Sequence, residues 1–118
     1  MKLYRACHGN ELSPDVKEIW FTSDKHYLSR VSVWRDVSHI VEIDIDESVI
    51  RQHARRHGKK SLPTQWQKIK PFHSGDNKIQ VKFEHGAINF GFYGNTINLV
   101  LPLLIDETKS TKLTDERS

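Results

Sequence analysis

The chain has 118 residues, of which 36% are hydrophobic and 28% are charged, and its formal net charge is +3. This length supports one domain with a single core and is too short for two domains that each bury enough apolar surface. No run approaches the roughly 18 apolar residues of a membrane span, and the first residues lack the apolar segment of a secretory signal. We therefore expect a cytoplasmic protein that does not enter a membrane.

The first third of the chain predicts strands around one helix. Short strands are predicted at Lys2–Cys7 and Glu18–Thr22, and a third at His39–Ile45, where apolar residues alternate with acidic ones. Thr22 or Ser23 is expected to cap a helix, because hydroxyl side chains there can accept from the first free N–H groups. The apolar residues of that helix recur at helical spacing, namely Tyr27, Leu28, Val31 and Trp34.

A second helix is predicted after the third strand. Asp46 is expected as its N-cap, the basic residues Arg55 and Arg56 in its last turn, and Gly58 just past its end. His53 and His57 would then share one face, as a metal-binding helical pair must. No third ligand is fixed by the spacing, so no metal site is predicted.

The last third of the chain predicts an antiparallel meander of three strands. Period-two segments occur at Lys78–Phe83, Ala87–Tyr93 and Thr96–Ile105, with glycine or asparagine at the connections. The segment Asp106–Ser118 has one apolar residue and is expected to be a disordered tail. The sequence therefore predicts a single α+β domain over residues 1–105, with two helices and short N-terminal strands before the meander.

A basic segment lies between Arg51 and Lys70. It contains no acidic residue and carries seven cations: Arg51, Arg55, Arg56, Lys59, Lys60, Lys68 and Lys70. Such a segment attracts phosphates or an acidic protein surface, and it is also typical of a solvated helix face. One hypothesis is therefore a non-catalytic binding protein, such as a phage-, toxin- or immunity-type inhibitor, that docks this segment on an acidic protein or on nucleic acid.

Arg5 stands out in the first strand because alternation places it on a face that is otherwise apolar, with Leu3 and Cys7. A partly buried guanidinium needs acceptors, which a ligand carboxylate or phosphate can supply. The alternative is an internal salt bridge to Glu42 or Asp44 on a neighbouring strand. Cys7 is the single cysteine, so it forms no internal disulfide and is expected to be a buried thiol.

Four features between Leu3 and Ile45 occur together: Tyr4-Arg5 on the first strand, "WFTSD" closing the second, Tyr27 in the following helix and the strand "HIVEIDI". In this order they resemble the N-terminal half of the ADP-ribosyltransferase family. The resemblance implies a split sheet and NAD as cofactor. It also implies that Arg5 contacts the phosphates or the nicotinamide ribose, that Thr22 and Ser23 shape the nicotinamide pocket, and that Tyr27 stacks on the nicotinamide ring.

The catalytic carboxylate of that family usually comes from a later strand, in a setting such as Glu-x-Glu, which this chain lacks in its C-terminal half. Glu84, at the end of "KIQVKFEHG", is the best-placed single carboxylate. The resemblance therefore implies a protein that binds NAD and transfers ADP-ribose to a macromolecule with Tyr27 and Glu84 at the catalytic centre. If no glutamate reaches the ribose, it implies binding of NAD without turnover.

Overall fold

The computed structural model describes residues 1–7, 16–30, 39–58, 61–73, 77–105 and 110–113, and the side chains of Cys7, Ser29, Arg30, His39 and 110–113 are not described. Within these residues the fold is α+β, with one seven-stranded sheet and three short α-helices. The strands are β1 Lys2–Cys7, β2 Glu18–Thr22, β3 His39–Asp44, β4 Ala54–Arg56, β5 Ile79–Glu84, β6 Ala87–Tyr93 and β7 Ser110–Leu113. The helices are α1 Lys25–Arg30, α2 Glu47–His53 and α3 Leu101–Ile105, with 3-10 helices at Thr64–Trp66 and Gly94–Leu99.

The strand order in the sheet is β4-β5-β6-β2-β1-β3-β7. Neighbouring strands are antiparallel except for β4 and β5, which are parallel. The two N-terminal strands therefore lie in the middle of the sheet, with the β5–β6 hairpin on one side and β3 and β7 on the other. This topology places β2, from the N-terminal part of the chain, directly beside β6, from its C-terminal half.

One face of the sheet, called here the core face, carries the hydrophobic core. Its strand residues alternate with those of the opposite face, and all are nearly inaccessible to solvent: Leu3, Ile19, Phe21, Val41, Ile43, Ile79, Val81, Phe90 and Phe92. Ile50 of α2, Trp66 of the first 3-10 helix and Val100 pack against them. Trp66 meets Phe90 edge-on, with their ring centroids 5.4 Å apart. Trp66 thus anchors the segment after β4 to the core.

The strands predicted at Lys2–Cys7 and Glu18–Thr22 are confirmed, and the third ends one residue early, at Asp44. The first helix, α1, is present, but its N-terminal side-chain acceptor is Asp24, whose Oδ1 accepts from the N–H of His26 at 2.9 Å. The Thr22 hydroxyl instead accepts from the N–H of Asp24 at 3.3 Å. The continuation of the predicted helix through Val31 and Trp34 lies outside the described residues.

The second helix is shorter than predicted. Asp46 is its N-cap, as expected, and its carboxylate accepts from the N–H of Ser48 at 2.9 Å, which lowers the pKa of Asp46. The helix ends at His53, and the prediction that it continues to His57 is wrong. The next three residues form β4 because their backbone pairs on both sides, with β5 and with the segment around Pro71. His53 and His57 therefore do not share a helix face.

The prediction of a third strand in the meander is also wrong. The β5–β6 hairpin forms as expected, but Gly94–Leu99 is a 3-10 helix and α3 follows it. The Thr96 hydroxyl accepts from the N–H of Tyr93 at 2.9 Å and donates to the carbonyl oxygen of the same residue at 2.6 Å, which turns the chain at this point. The apolar residues of this segment also satisfy a helical spacing, with Ile97, Val100, Leu101 and Leu104 on one side.

The expected disordered tail contains a strand. β7 pairs with β3 along residues 110–113, so the sheet extends beyond the predicted domain end at residue 105. This strand has a single apolar residue, Leu113, and edge strands need few apolar residues because only part of their surface is covered. The remainder of the predicted tail, residues 106–109 and 114–118, lies outside the described residues.

Candidate functional site

A row of polar residues crosses the sheet on the face opposite the core, called here the cavity face. Five residues, each directly opposite the next in the strand register, form it: Lys82, Asn89, Thr22, Tyr4 and Glu42. They come from β5, β6, β2, β1 and β3 in turn, so five strands contribute one residue each. We call this set the polar row.

A cavity of about 340 Å³ lies over the polar row and is bounded by α1. Ten residues line it: Tyr4, Arg5, Ala6, Trp20, Phe21, Thr22, Tyr27, Leu28, Lys82 and Asn89. Two of them are cationic, two are phenols and none is acidic. The volume is at the lower end of the roughly 300–1,000 Å³ of small-molecule sites. The lining therefore favours a small anionic ligand with an aromatic part.

Trp20 forms one wall of the cavity because β6 has a glycine opposite it. Gly91 is the register partner of Trp20, and a Cβ on Gly91 would lie 2.5 Å from Cε2 of the indole. Only a glycine lets the ring lie this close to the strand. The ammonium of Lys82 lies 5.1 Å from the centroid of the Trp20 ring, within the range of a cation–π contact. The indole thus helps to hold a cation at the cavity.

Arg5 lies where β1 and β2 separate. These strands share one register pair, Tyr4 with Thr22, and beyond it the Nη1 of Arg5 donates to the carbonyl oxygen of Trp20 at 3.1 Å. This bond holds the guanidinium between the two strands, where it lines the cavity. Of the two acids considered as partners from the sequence, Glu42 bonds to Tyr4, and Asp44 pairs with the N-terminal amine of Met1 at 3.1 Å.

The start of α1 places Tyr27 beside the strand ends. The N–H of Tyr27 donates to the carbonyl oxygen of Asp24 at 3.0 Å, and the Thr22 side chain is 2% exposed beneath this turn. Tyr27 and Thr22 thus line the same cavity as Arg5. Ser23 does not belong to the lining: its backbone N–H donates to the carbonyl of Ile88 at 2.9 Å.

Tyr4 is held in the polar row by its register partner Glu42. Burial raises the pKa of the Tyr4 phenol, and the negative charge of Glu42 and a hydrogen bond to that carboxylate raise it further. The phenol therefore remains a neutral donor at physiological pH. Its position beside Thr22 gives the floor of the cavity two neighbouring hydroxyl groups.

Glu84 lies at the end of β5, and it is not one of the lining residues. Its Oε2 is 2.8 Å from the Nζ of Lys82, and its Oε1 is 3.6 Å from Nε2 of His85. The His85 ring in turn lies 6.3 Å from that of Tyr27. Glu84 is thus connected to the cavity through Lys82, which lines it, and through His85, whose ring lies near the lining residue Tyr27.

Asn89 is the residue that sequence reasoning missed most clearly. It is 3% exposed in the centre of the polar row, between Thr22 and Lys82. The alternation in "AINFGFY" places Asn89 on the face opposite Phe90, but it does not show that a helix covers this face. Tyr4, Trp20 and Lys82 were missed as lining residues for the same reason.

The basic segment is divided among several elements. Among its described residues, three arginines donate to nearby backbone carbonyls: Arg51 to Gln65, Arg55 to Ala54 and Arg56 to Gly58. Arg51 also pairs with Glu47 at 3.1 Å and covers the ring of Trp66 at 4.0 Å. Lys68 and Lys70 are exposed, and Lys59 and Lys60 lie outside the described residues. The contacts of Arg51, Arg55 and Arg56 therefore stabilise the domain itself, so these arginines do not by themselves indicate a docking surface.

In the described ranges, histidine, cysteine, aspartate and glutamate do not form a group of three or more that could hold a metal ion. No described helix has both the length and the apolar character needed to cross a membrane. In comparisons with family models, curated proteins and solved structures, none was found to match this chain. The site is therefore interpreted from its own geometry.

Proposed function

We propose that the protein is ADP-ribosyltransferase-like and binds NAD, with the nicotinamide half of the dinucleotide in the cavity over the polar row. The observation that carries the proposal is the lining itself: Arg5, Thr22 and Tyr27 surround one hollow that has a second cation and no acidic residue. These three are among the four residues to which the resemblance in sequence assigned the cofactor, and the fourth, Ser23, is not part of the lining.

The lining suits the parts of such a ligand. Arg5 and Lys82 supply positive charge for a phosphate, and a guanidinium can donate two hydrogen bonds to it. Tyr27 and Trp20 supply aromatic surface against which a flat ring can pack. The volume of about 340 Å³ accommodates one mononucleotide half, so the adenosine half extends over the rim.

For the transfer of ADP-ribose, Glu84 is the carboxylate that we assign. In this reaction the bond between the nicotinamide nitrogen and C1′ of the ribose breaks, and nicotinamide leaves with the electron pair. A nucleophile of the acceptor then bonds to C1′ and loses its proton. A carboxylate beside the ribose stabilises the positive charge that develops there. Glu84 reaches the ribose when a ligand phosphate replaces it as the partner of Lys82.

Binding is tested by titrating the full chain with NAD and measuring its melting temperature. A ligand at a hundredfold excess over Kd stabilises the folded state by about 2.7 kcal/mol. For a chain of this length, that corresponds to on the order of 10 °C. Arg5→Ala is expected to remove the shift.

Arg55→Ala is the matched control, because Arg55 is half-buried like Arg5 and also donates Nη1 to a backbone carbonyl, at 2.8 Å, but lies outside the cavity. It should keep the shift. If NAD produces no shift at millimolar concentration, or if the two arginine variants respond alike, the proposal is wrong.

The transfer step is tested separately with Glu84→Gln. We expect this variant to bind NAD at least as tightly as the parent chain, since a ligand phosphate no longer competes with a carboxylate for Lys82. The variant should no longer release nicotinamide from NAD, which is measured by chromatography. Unchanged release would show that Glu84 has no part in the chemistry.

A further inference from the structure

Asn89 is a buried amide with unsatisfied hydrogen-bonding groups. Within the part of the chain that the structure describes, neither its Nδ2 nor its Oδ1 has a hydrogen-bond partner, and each has under 1 Å² of accessible surface. Folded proteins rarely leave buried polar groups in this state, because such a group loses its bonds to water and gains none in return. The amide therefore needs an explanation outside the sheet.

The fold itself does not require an amide at this position. The β6 backbone pairs with β2 and β5 whatever its side chains are, and both register partners of Asn89 have other contacts. The Thr22 hydroxyl accepts from the N–H of Asp24, and Lys82 pairs with Glu84. An apolar residue under α1 would satisfy packing equally well. What distinguishes Asn89 is that it lines the cavity.

We propose that Asn89 determines the specificity of the cavity by pairing with a planar group that presents an N–H donor beside an acceptor. A side-chain amide has one acceptor oxygen and a donor NH₂, so it can form two parallel hydrogen bonds with a primary carboxamide or with the amino edge of a nucleobase. A carboxylate offers acceptors alone and would face the amide oxygen unfavourably. This inference rests on the proposed function because it concerns the same cavity, and it names the group that is recognised there.

The ligand reaches the amide through a change of rotamer. Since both amide atoms are covered, the Asn89 side chain or a lining side chain beside it has to rotate when the ligand enters. Such rotations are common on binding and leave the backbone in place. The ligand then forms two buried hydrogen bonds with the Asn89 amide. The same bonds satisfy the amide, which has no partner among the described residues without the ligand.

The experiment measures calorimetric affinities of the full chain for nicotinamide mononucleotide and nicotinic acid mononucleotide, which differ only in carboxamide against carboxylate. We expect the carboxamide to bind at least about tenfold more tightly. Adenosine monophosphate is the second arm. Tighter binding of that nucleotide than of nicotinamide mononucleotide would identify the nucleobase edge, and the reverse order would identify the carboxamide.

Asn89→Leu is the test variant because leucine has nearly the shape of asparagine and no polar atoms. Its preference between the two mononucleotides should fall to within about threefold. Without ligand, its melting temperature should rise by on the order of 4 °C, because the unsatisfied amide has been removed. Should this variant fail to fold, Asn89→Ser serves for the affinity measurement, with the same expected loss of preference.

The outcomes separate this inference from the proposed function. If the parent chain binds both mononucleotides equally and binds adenosine monophosphate no more tightly than either, the function stands and the role of Asn89 is wrong. If the parent chain binds no nucleotide, the function fails, and the melting temperature of Asn89→Leu then decides the inference. A higher melting temperature supports the inference that the amide is present to bind a ligand. A lower melting temperature shows that the amide has a structural role and overturns the inference.

Discussion

The two faces of the central sheet are built from alternate residues of the same strands and are covered differently. On the core face, Phe90 is fully buried between aliphatic and aromatic side chains, including Trp66. On the cavity face, its neighbour Asn89 is almost as buried but lies in a row of polar groups beneath one short helix. Burial alone therefore does not separate the two faces, and the difference lies in whether the covering elements fill the space.

The comparison indicates which face maintains the fold and which is available for a ligand. The core face is closely packed and supplies most of the apolar burial of the described residues. The cavity over the opposite face has a volume of about 340 Å³ and is lined by hydrogen-bonding groups and two cations, of which Arg5 lies between β1 and β2. Changes on the core face should therefore affect stability most, and changes on the cavity face should affect binding most.

The largest expected effect comes from the core face. Phe90→Ala removes a fully buried ring that meets Trp66, and such a truncation typically costs about 3–5 kcal/mol of unfolding free energy. Urea denaturation of this variant beside Asn89→Leu compares adjacent residues on opposite faces. A loss below about 1 kcal/mol for Phe90→Ala would contradict the assignment of the two faces.

A smaller loss is expected where the cavity wall is formed. Gly91→Ala places a methyl group against the Trp20 indole, and overpacking of this kind costs about 1–3 kcal/mol. The indole should move, with a change in intrinsic fluorescence and weaker NAD binding. In a Trp20→Ala background, the same glycine substitution should cost far less. An equal cost in both backgrounds would show that the ring is not what requires the glycine.

A gain of stability is expected at the rim of the cavity. His85 has a φ of +51° in the two-residue turn between β5 and β6, where Gly86 has a φ of +78°. Asparagine adopts this left-handed conformation more readily than histidine does, and Asn-Gly is the preferred pair in such hairpins. His85→Asn should raise the unfolding free energy by about 0.5 kcal/mol. A clear loss would mean that the contacts of His85 with Glu84 and Tyr27 stabilise the hairpin more than its backbone strain destabilises it.

The last expected effect is seen at alkaline pH, in the variant Tyr93→Phe. Burial, followed by a hydrogen bond to Glu18, raises the pKa of the Tyr93 phenol to about 12. Because the pKa is raised above that of the unfolded chain, the associated stability is present below pH 10 and is lost as the pH rises through about 12. An ultraviolet titration of tyrosinate should lose its latest step in the variant. If that step remains, the late-ionising tyrosine is another one.

Local patterns predicted the strands that alternate strongly and the cap at Asp46. They did not predict β4, because Ala54–Arg56 becomes a strand through pairing with a distant segment and with β5. The C-terminal segment fits both a strand period and a helix period, and the Thr96 hydroxyl determines the outcome. In each case a contact distant in sequence, or one particular side chain, overrides the local preference.

The candidate site was predicted in part. The sequence identified Arg5, Thr22 and Tyr27, and the structure places all three around one cavity. Asn89 and Lys82 could not be predicted, because their proximity to those residues depends on the register of β6 against β2 and β5. That register is fixed by the core residues on the other face, which in this way also position the cavity.

The most direct test of a nucleotide site over the polar row is a nuclear magnetic resonance titration of ¹⁵N-labelled protein with nicotinamide mononucleotide. We predict saturable shifts of the Asn89 side-chain amide and of the backbone amides of Ala6, Thr22 and Leu28, with β4 unchanged. Shifts confined to the segment from Arg51 to Lys70, or the absence of saturable shifts at the cavity, would contradict the account.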